Sequence, residues 1–339
     1  MDKEDIQTKS DDIFLEDVKK LITAGDFSSA ISKLLLELTS NSNNIELLYL
    51  LSVSYRYNKN YSKAIESLNS LFALNPEHSR ALQEMGHTYR AMGDYNRALE
   101  AYHRATHLNS ALTASLNAQI KILGQGGQDQ QIKPLKAQLD YIQSLPKPLI
   151  AVIDLLAQGK LVKAEQICKL FLQKNPRNVE GMRLLSQIAL KLGVLDDAEF
   201  LLESALEFSP NNSRIRIEYI QVLRKRQNYA GALHQAKVLL EMDKENPQFQ
   251  SVFAIEAMQS GDFENALIVF DKILEKIPED PVTLTSRGHL LKTCGEREKA
   301  IDSYRRAIKK YPGHGEAYFS LSNLKLFKFS DEDIVLMED

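Results

Sequence analysis

The sequence predicts an all-α fold built from repeated pairs of helices, and two observations indicate it. The first is composition: hydrophobic residues make up 44% of the 339 residues, while only 10 prolines and 15 glycines are available for loops. The second is a repeat, because alanine recurs at a spacing of 34 residues, at Ala164, Ala198, Ala232, Ala266 and Ala300. A period of this length is typical of solenoids, in which short helical units stack into one array.

The residues around each alanine predict where the helices of a pair begin and end. Ala30, Ala64 and Ala98 continue the same phase upstream, which makes eight repeats. A turn must join the two helices, and glycine tolerates the positive φ of such a turn at five residues before six of the alanines: Gly25, Gly93, Gly159, Gly193, Gly261 and Gly295. Among the five alanines from Ala164 to Ala300, four are followed twelve residues later by a proline that ends the second helix, at Pro176, Pro210, Pro278 and Pro312.

Each first helix carries an apolar stripe that packs against the second helix at the small alanine. The clearest stripe is LQEMGHTY, with Leu82, Met85, Gly86 and Tyr89, and Gly288 repeats the small residue in a later unit. This spacing, the period and the closing proline resemble the tetratricopeptide-repeat (TPR) family over nearly the whole chain, although no tryptophan stands at the opening position. The resemblance implies a right-handed superhelix of helix-turn-helix units, an α-solenoid whose concave groove binds other proteins.

The repeat phase also predicts the domain organisation. From Ala98 to Ala164 is 66 residues, two short of two periods, so the register slips between them. We expect a disordered acidic tail over 1–10, an N-terminal repeat block over 11–110, a degenerate repeat or joint over 111–150, and a C-terminal block over 151–312. In the joint, Pro134 is expected in the opening turn of a second helix, which Pro146 and Pro148 then end.

The last segment, 313–339, is predicted to cap the array. GEAYFSLSNLKLF begins a further first helix, with Tyr318 and Leu321 on its apolar face, and Ser330 is a candidate N-cap followed by three acidic residues, Asp331, Glu332 and Asp333. This segment resembles the junction of bacterial TPR–sulfotransferase fusions. That resemblance implies a sulfotransferase domain, with its phosphate loop for the donor PAPS, beyond Asp339. The other interpretation is a free-standing adaptor with no linked enzyme.

Charge and cysteine content limit the partners and the compartment. The net charge of −3 combines acidic ends with a mildly basic body, and that excess is too dilute for nucleic-acid binding. Two distant cysteines predict a reducing compartment. The absence of a signal-peptide pattern and of long apolar runs predicts a cytoplasmic protein that does not bind membranes.

No catalytic, cofactor-binding or metal site is predicted. His103 and His107 lie four residues apart, but no third ligand is near, so solvated histidines are the better interpretation. Gly124, Gly126 and Gly127 indicate a flexible turn, because no strand precedes them and no Lys-Ser/Thr follows. Cys168 and Cys294 lack the histidine or second cysteine that accompanies an activated thiol.

The groove that the resemblance implies runs along the first helices, and the repeat phase predicts the side chains that face it. They are mostly polar: Gln83, His87, Arg90, Arg183, Gln187, Gln221, Arg224, Ser251, Thr285, His289, Lys292 and Asn323, with the apolar Ile217, Ile255 and Phe319. Their cations favour an extended acidic peptide as ligand. The alternative is that each one is an ordinary solvated residue.

One class of peptide is not expected in this groove. TPR domains that bind chaperone tails clamp a terminal carboxylate with a Lys and an Asn on one first helix. The matching positions here are Gln83 with His87, Arg183 with Gln187, Ser251 with Ile255, and Thr285 with His289, so that pair is absent.

Overall fold

The computed structural model describes residues 3–324 and residue 334, and the side chains of 13–324 and 334. Within these residues the secondary structure is helical throughout and contains no strand, which confirms the predicted all-α fold. The predicted cap Ser330 and the acidic residues Asp331, Glu332 and Asp333 lie outside the described residues. None of the described helices is long and apolar enough to cross a membrane.

The chain forms two compact units, Met1–Lys174 and Asn175–Asp339. The helices of the first unit are α1 (Lys3–Ala24), α2 (Phe27–Ser40), α3 (Ile45–Tyr57), α4 (Tyr61–Leu74), α5 (Ser79–Met92), α6 (Tyr95–Leu108), α7 (Thr113–Gln125), α8 (Asp129–Ser144), α9 (Lys147–Ala157) and α10 (Leu161–Lys174). Those of the second unit are α11 (Val179–Leu192), α12 (Leu195–Phe208), α13 (Ser213–Lys225), α14 (Tyr229–Met242), α15 (Pro247–Gln259), α16 (Phe263–Lys276), α17 (Pro281–Thr293), α18 (Arg297–Lys310) and α19 (Gly315–Ser322).

Consecutive helices pack in pairs, an odd-numbered first helix against the even-numbered second helix that follows it. The repeat alanine is the fourth residue of each second helix, and all eight alanines have no exposed surface, which confirms the predicted phase. The four closing prolines stand two residues after the ends of α10, α12, α16 and α18, as expected of a residue that cannot continue a helix. The predicted apolar face of α19 is also confirmed, because Tyr318 and Leu321 are buried.

The turns between paired helices adopt the predicted left-handed backbone. Gly93 and Gly295 have φ of 83° and 84°. Two repeats lack the glycine, and there Lys59 and Gln227 adopt φ of 61° and 60°. The backbone of this turn is therefore kept even where the residue disfavours it, because the packing of the two helices determines the path between them.

In most repeats, the side chains at one buried position of the first helix and one buried position of the second helix have complementary sizes. The sequence patterns did not predict this. The position twelve residues before the alanine (first helix) and the position four after it (second helix) are buried in every repeat. In seven repeats a larger residue stands opposite a smaller one: Ser52 with Leu68, Gly86 with Tyr102, Val152 with Cys168, Ser186 with Leu202, Ile220 with Ala236, Ala254 with Phe270, and Gly288 with Tyr304. In the first repeat both residues are large, Val18 and Leu34. The similar summed volume of the seven pairs keeps the interior filled at close packing.

The glycines of this series have a direct steric reason. A Cβ added at Gly86 would lie 2.6 Å from the ring of Tyr102, and one at Gly288 would lie 2.5 Å from the ring of Tyr304. Both distances are far below van der Waals contact. Glycine is needed at these two positions because a tyrosine ring packs against the backbone of the first helix.

Two predicted features differ from the structure at the N-terminus and in the joint. Helix α1 begins at Lys3, where a disordered tail over 1–10 was expected, and the sequence up to Ala24 contains no glycine or proline to interrupt a helix. Pro134 lies in the second turn of α8 rather than its first, because the helix already begins at Asp129. Pro146 follows the end of α8 as predicted, whereas Pro148 lies in the first turn of α9.

The boundary between the two units lies after Lys174, whereas the sequence placed the division of the blocks in the joint at 111–150. The reason is a set of contacts across the joint. Asp154 of α9 accepts hydrogen bonds from Arg80 of α5 and from Asn109, which follows α6. These bonds attach α9 to the repeats that precede the joint, so α9 and α10 belong to the first unit.

Candidate functional site

The predicted groove residues occupy equivalent faces of the first helices, and several of them contact the next first helix. In the first unit, Gln83 of α5 accepts a hydrogen bond of 2.9 Å from the Ser115 hydroxyl of α7. In the second unit, Thr285 of α17 lies 2.9 Å from Nε2 of His314, which precedes α19. His289 lies 3.3 Å from the carboxylate of Glu316 in α19. These contacts follow one face of the first helices, here called the first-helix surface of each unit, although Thr285 itself is only 2% exposed.

Arg183 is buried in an ionic network and does not stand free on that surface. Only 2% of Arg183 is exposed, and its guanidinium donates to Glu180 and, at 2.8 Å, to Glu218 of α13. The amide of Gln187 lies 3.3 Å from the same carboxylate of Glu218. A buried cation needs such partners, since desolvation without them costs several kcal/mol by order of magnitude. The positive charge of Arg183 is therefore balanced within the protein.

Arg224 is also paired. Its Nε lies 3.1 Å from Oε1 of Glu256 on α15, which has no exposed surface. Neither carboxylate oxygen of Glu256 accepts an aligned hydrogen bond within the described residues, so the contact is an ion pair without hydrogen-bond geometry. Burial raises the pKa of Glu256, and the charge of Arg224 partly opposes that rise. Arg224 thus compensates a buried acid, which weakens the argument that it selects acidic ligands.

Two histidines of the predicted set are each hydrogen-bonded to a different buried tyrosine. Nδ1 of His87 lies 2.6 Å from the Tyr102 hydroxyl, and Nδ1 of His289 lies 3.0 Å from that of Tyr304. Burial, with the charges of Arg56 and Arg90, lowers the pKa of His87 to about 4, so this ring is neutral at physiological pH. The sequence signal was a Gly-His pair with tyrosine sixteen residues after the glycine, found in two repeats.

The remaining predicted residues are exposed or half-buried. Arg90, Gln221, Lys292 and Asn323 are exposed and Ser251 is half-buried. The predicted apolar Phe319 on α19 is 68% exposed, and the more sheltered Ile217 and Ile255 are half-buried on α13 and α15. Their contact with a ligand stays a prediction.

The first unit contains a cleft of about 570 Å³ that the sequence analysis did not find. Helices α1, α3 and α5 contribute Lys19, Glu46, Tyr49 and Arg80 on one side, with His78 from the turn before α5. Helix α9 and the residues after it contribute Asp154, Gln158 and Lys160 on the other side. We call this the α9 cleft. It exists because α9 contacts a first helix two repeats earlier, and the only sequence signal was the two-residue loss of register.

One carboxylate joins the two sides of the α9 cleft. Oδ2 of Asp154 accepts a hydrogen bond of 2.5 Å from Arg80, and Oδ1 accepts one of 2.7 Å from Asn109, which is buried. Burial of Asp154 opposes its ionisation, but the bonds from Arg80 and Asn109 outweigh burial and lower the pKa of this carboxyl. Asp154 is therefore an anion that holds α9 in place.

The other residues considered in the sequence lie apart from these surfaces. His103 and His107 are exposed on α6, Cys168 is buried, and Cys294 is exposed at the end of α17. Gly127 has φ of 68° in the turn between α7 and α8, as expected of a glycine turn. Within the part of the chain that the structure describes, no group of three or more His, Cys, Asp or Glu side chains could hold a metal ion.

Models of known protein families match several segments of the chain, and all of them describe tetratricopeptide repeats. Tetratricopeptide-repeat models match residues 45–78, 81–111 and 283–314. A model described as the cytochrome c-type biogenesis protein H TPR domain matches residues 169–283.

Among relatives, the chain is 33% identical over 67 residues to the Protein CTR9 homolog of Arabidopsis thaliana, covering 20% of this chain and 6% of that protein. It is 34% identical over 64 residues to the TPR repeat-containing protein MJ1345 of Methanocaldococcus jannaschii, covering 19% of this chain and 20% of that protein. The chain thus spans a small part of either relative. A solved structure, YrrB, described as a TPR protein with an unusual peptide-binding site, is 18% identical with a TM-score of 0.44, covering 53% of this chain and 91% of that one.

The family matches coincide with helix pairs whose repeat alanines are buried and whose connecting turns have the expected left-handed backbone. The segments at 45–78, 81–111 and 283–314 correspond to α3–α4, α5–α6 and α17–α18. The chain is therefore an all-α tetratricopeptide-repeat protein.

Proposed function

We propose that the chain is a protein-interaction scaffold that holds extended segments of a partner on its first-helix surfaces. The observation that carries the proposal is the α9 cleft. Three successive first helices and α9 enclose it, and its walls carry polar and charged side chains rather than a closed apolar core. A cleft of about 570 Å³ is within the usual size range of ligand sites.

The first-helix surface of the second unit is a second part of the proposed interaction site. It combines exposed polar residues, Gln221, Lys292 and Asn323, with the exposed ring of Phe319. Aromatic side chains with polar neighbours are common anchors of protein interfaces. The proposed preference for acidic segments rests here on Lys292, because Arg183 and Arg224 are paired with glutamates.

Blocking the α9 cleft tests the proposal. Binders are first selected from random peptides displayed on phage, and their affinities for the whole chain are measured by fluorescence anisotropy. Ala157 lines the cleft, so Ala157→Trp should fill part of it and weaken binding at least about tenfold. Lys163→Trp, on an exposed position of α10, is the matched control and should bind as the wild type does.

The results assign the site or reject it. If selected peptides bind Ala157→Trp as well as the control, the α9 cleft is not the binding site, and Gln221→Trp then tests the surface of the second unit. If the library yields no binder, the proposed function is wrong for segments of this kind.

We further propose that the protein presents substrates to a sulfotransferase. The support is the resemblance of the segment 313–339 to the junction of TPR–sulfotransferase fusions. Of residues 325–339 the structure describes only residue 334. Extending the reading of the gene beyond codon 339 tests it: an encoded PAPS-binding sulfotransferase domain supports the proposal, and a stop codon supports a free-standing adaptor. We expect the 339-residue chain alone to transfer no sulfate from labelled PAPS, and transfer by this chain would contradict that expectation.

A further inference from the structure

We infer that the α9 cleft recognises a carboxylate of the bound partner through three hydrogen-bond donors, Tyr49, His78 and Lys160. This inference rests on the proposed function, because it names the chemical group that the cleft holds. All three residues line the cleft, Tyr49 and His78 on one side and Lys160 on the other. The rings of Tyr49 and His78 are neighbours, with centroids 5.9 Å apart.

The hydrogen bonding of His78 determines which of its ring nitrogens is a donor. Nδ1 accepts a hydrogen bond of 3.0 Å from the backbone N–H of Ala81, where His78 caps the start of α5. Burial lowers the pKa of His78, so the ring is neutral at physiological pH. A neutral imidazole whose Nδ1 accepts a hydrogen bond carries its proton on Nε2. His78 therefore offers an N–H donor that its capping role does not use.

The hydroxyl of Tyr49 is a second donor. Burial, followed by the charge of Glu84, raises the pKa of Tyr49 to about 12, so the hydroxyl keeps its proton. Among the described residues, the structure gives this hydroxyl no hydrogen-bond partner. A half-buried donor without a partner favours a ligand that supplies an acceptor.

The charges of the cleft leave one cation available to a ligand. Lys19 lies 3.2 Å from Glu46, and Arg80 is bonded to Asp154. Nζ of Lys160 donates at 2.7 Å to the side-chain carbonyl of Gln158, and no carboxylate of the described residues lies within ion-pair distance of it.

The remaining charged group of the lining is Glu77, which is exposed. An anionic group would thus meet one uncompensated cation and two neutral donors, whereas a cationic group would meet Glu77 alone. Charge-assisted hydrogen bonds of this kind are the stronger ones.

Two sources could supply the carboxylate, a side chain or a peptide C-terminus, and three synthetic peptides distinguish them. The first is acetyl-Gly-Gly-Glu-Gly-Gly-amide, with a side-chain carboxylate. The second is acetyl-Gly-Gly-Gln-Gly-Gly with a free C-terminus, and the third is its amide, which has no carboxylate. Binding to the whole chain is followed by NMR of ¹⁵N-labelled histidine rings, with the signals of His78 assigned from His78→Gln.

We expect one of the two carboxylate peptides to shift the Nε2–H signal of His78, and to bind at least about tenfold more tightly than the amide reference. Lys160→Met should remove most of that difference, and Lys163→Met, a matched loss of charge on α10, should preserve it. Equal affinity of the three peptides, failure of both carboxylates to bind, or equal behaviour of the two lysine variants would overturn the inference. If the inference fails in this way but the phage-selected peptides still bind Ala157→Trp more weakly than the wild type, the proposed function is retained.

Discussion

The matched side-chain sizes across seven of the helix pairs lead to a quantitative prediction at Gly288 and Tyr304. Gly288→Ser places a Cβ where the ring of Tyr304 lies 2.5 Å away, so the ring or the helix must shift. Overpacking of this kind costs about 1–3 kcal/mol, less about 0.5 kcal/mol gained because serine is a better helix former than glycine. Tyr304→Leu leaves a cavity and removes the hydrogen bond to His289, at a cost of about 2–4 kcal/mol.

The two changes together should be less damaging than their sum. Two repeats already contain serine opposite leucine, at Ser52 with Leu68 and Ser186 with Leu202, all fully buried. Gly288→Ser with Tyr304→Leu reproduces that pairing. We therefore expect a favourable coupling on the order of 1–3 kcal/mol between the two substitutions.

The assay is urea unfolding followed by circular dichroism, with the midpoints of the single and double variants compared at constant slope. Repeat arrays can unfold in parts, so the variants are compared with one another and not with an absolute free energy. Gly288→Ser combined with Tyr102→Leu, which belongs to another repeat, is the control and should be additive. Additivity in both double variants would refute the argument that size matching across the pair determines the packing.

Three further predictions concern the turns, the alanines and the α9 cleft. Gln227→Gly should raise the unfolding midpoint by relieving positive φ, with a gain of about 0.5–1 kcal/mol, and a lower midpoint would show that the turn is not strained. Ala266→Leu should cost about 1–3 kcal/mol because the alanine has no exposed surface, and unchanged thermal melting would contradict the repeat phase. Asp154→Asn should destabilise the first unit; because the pKa of Asp154 is lowered on folding, the difference from wild type should be full above its ordinary value of 3.8 and shrink as the pH falls below it. A difference independent of pH would mean that the charge of Asp154 does not contribute.

The predicted ligand groove stays a prediction, and the structure adds the charge partners that the sequence analysis did not find. Equivalent positions on successive first helices do contact one another, as Gln83 with Ser115 and His289 with Glu316 show. The partners Glu218 and Glu256 belong to the following repeat, 35 and 32 residues after Arg183 and Arg224. The pattern of a single repeat therefore could not predict these ion pairs.

The sequence by itself determined the helices, their pairing, the turn glycines and the buried alanines, because each of these depends on residues within one 34-residue period. Local periodicity specifies local packing. Only the tertiary structure decided that Asp154 of α9 is bonded to Arg80 of α5 and that Tyr49, His78 and Lys160 line one cleft. The physical reason is that the degenerate repeat changes the register of the array by two residues, and the resulting direction of α9 depends on how all the intervening helices pack.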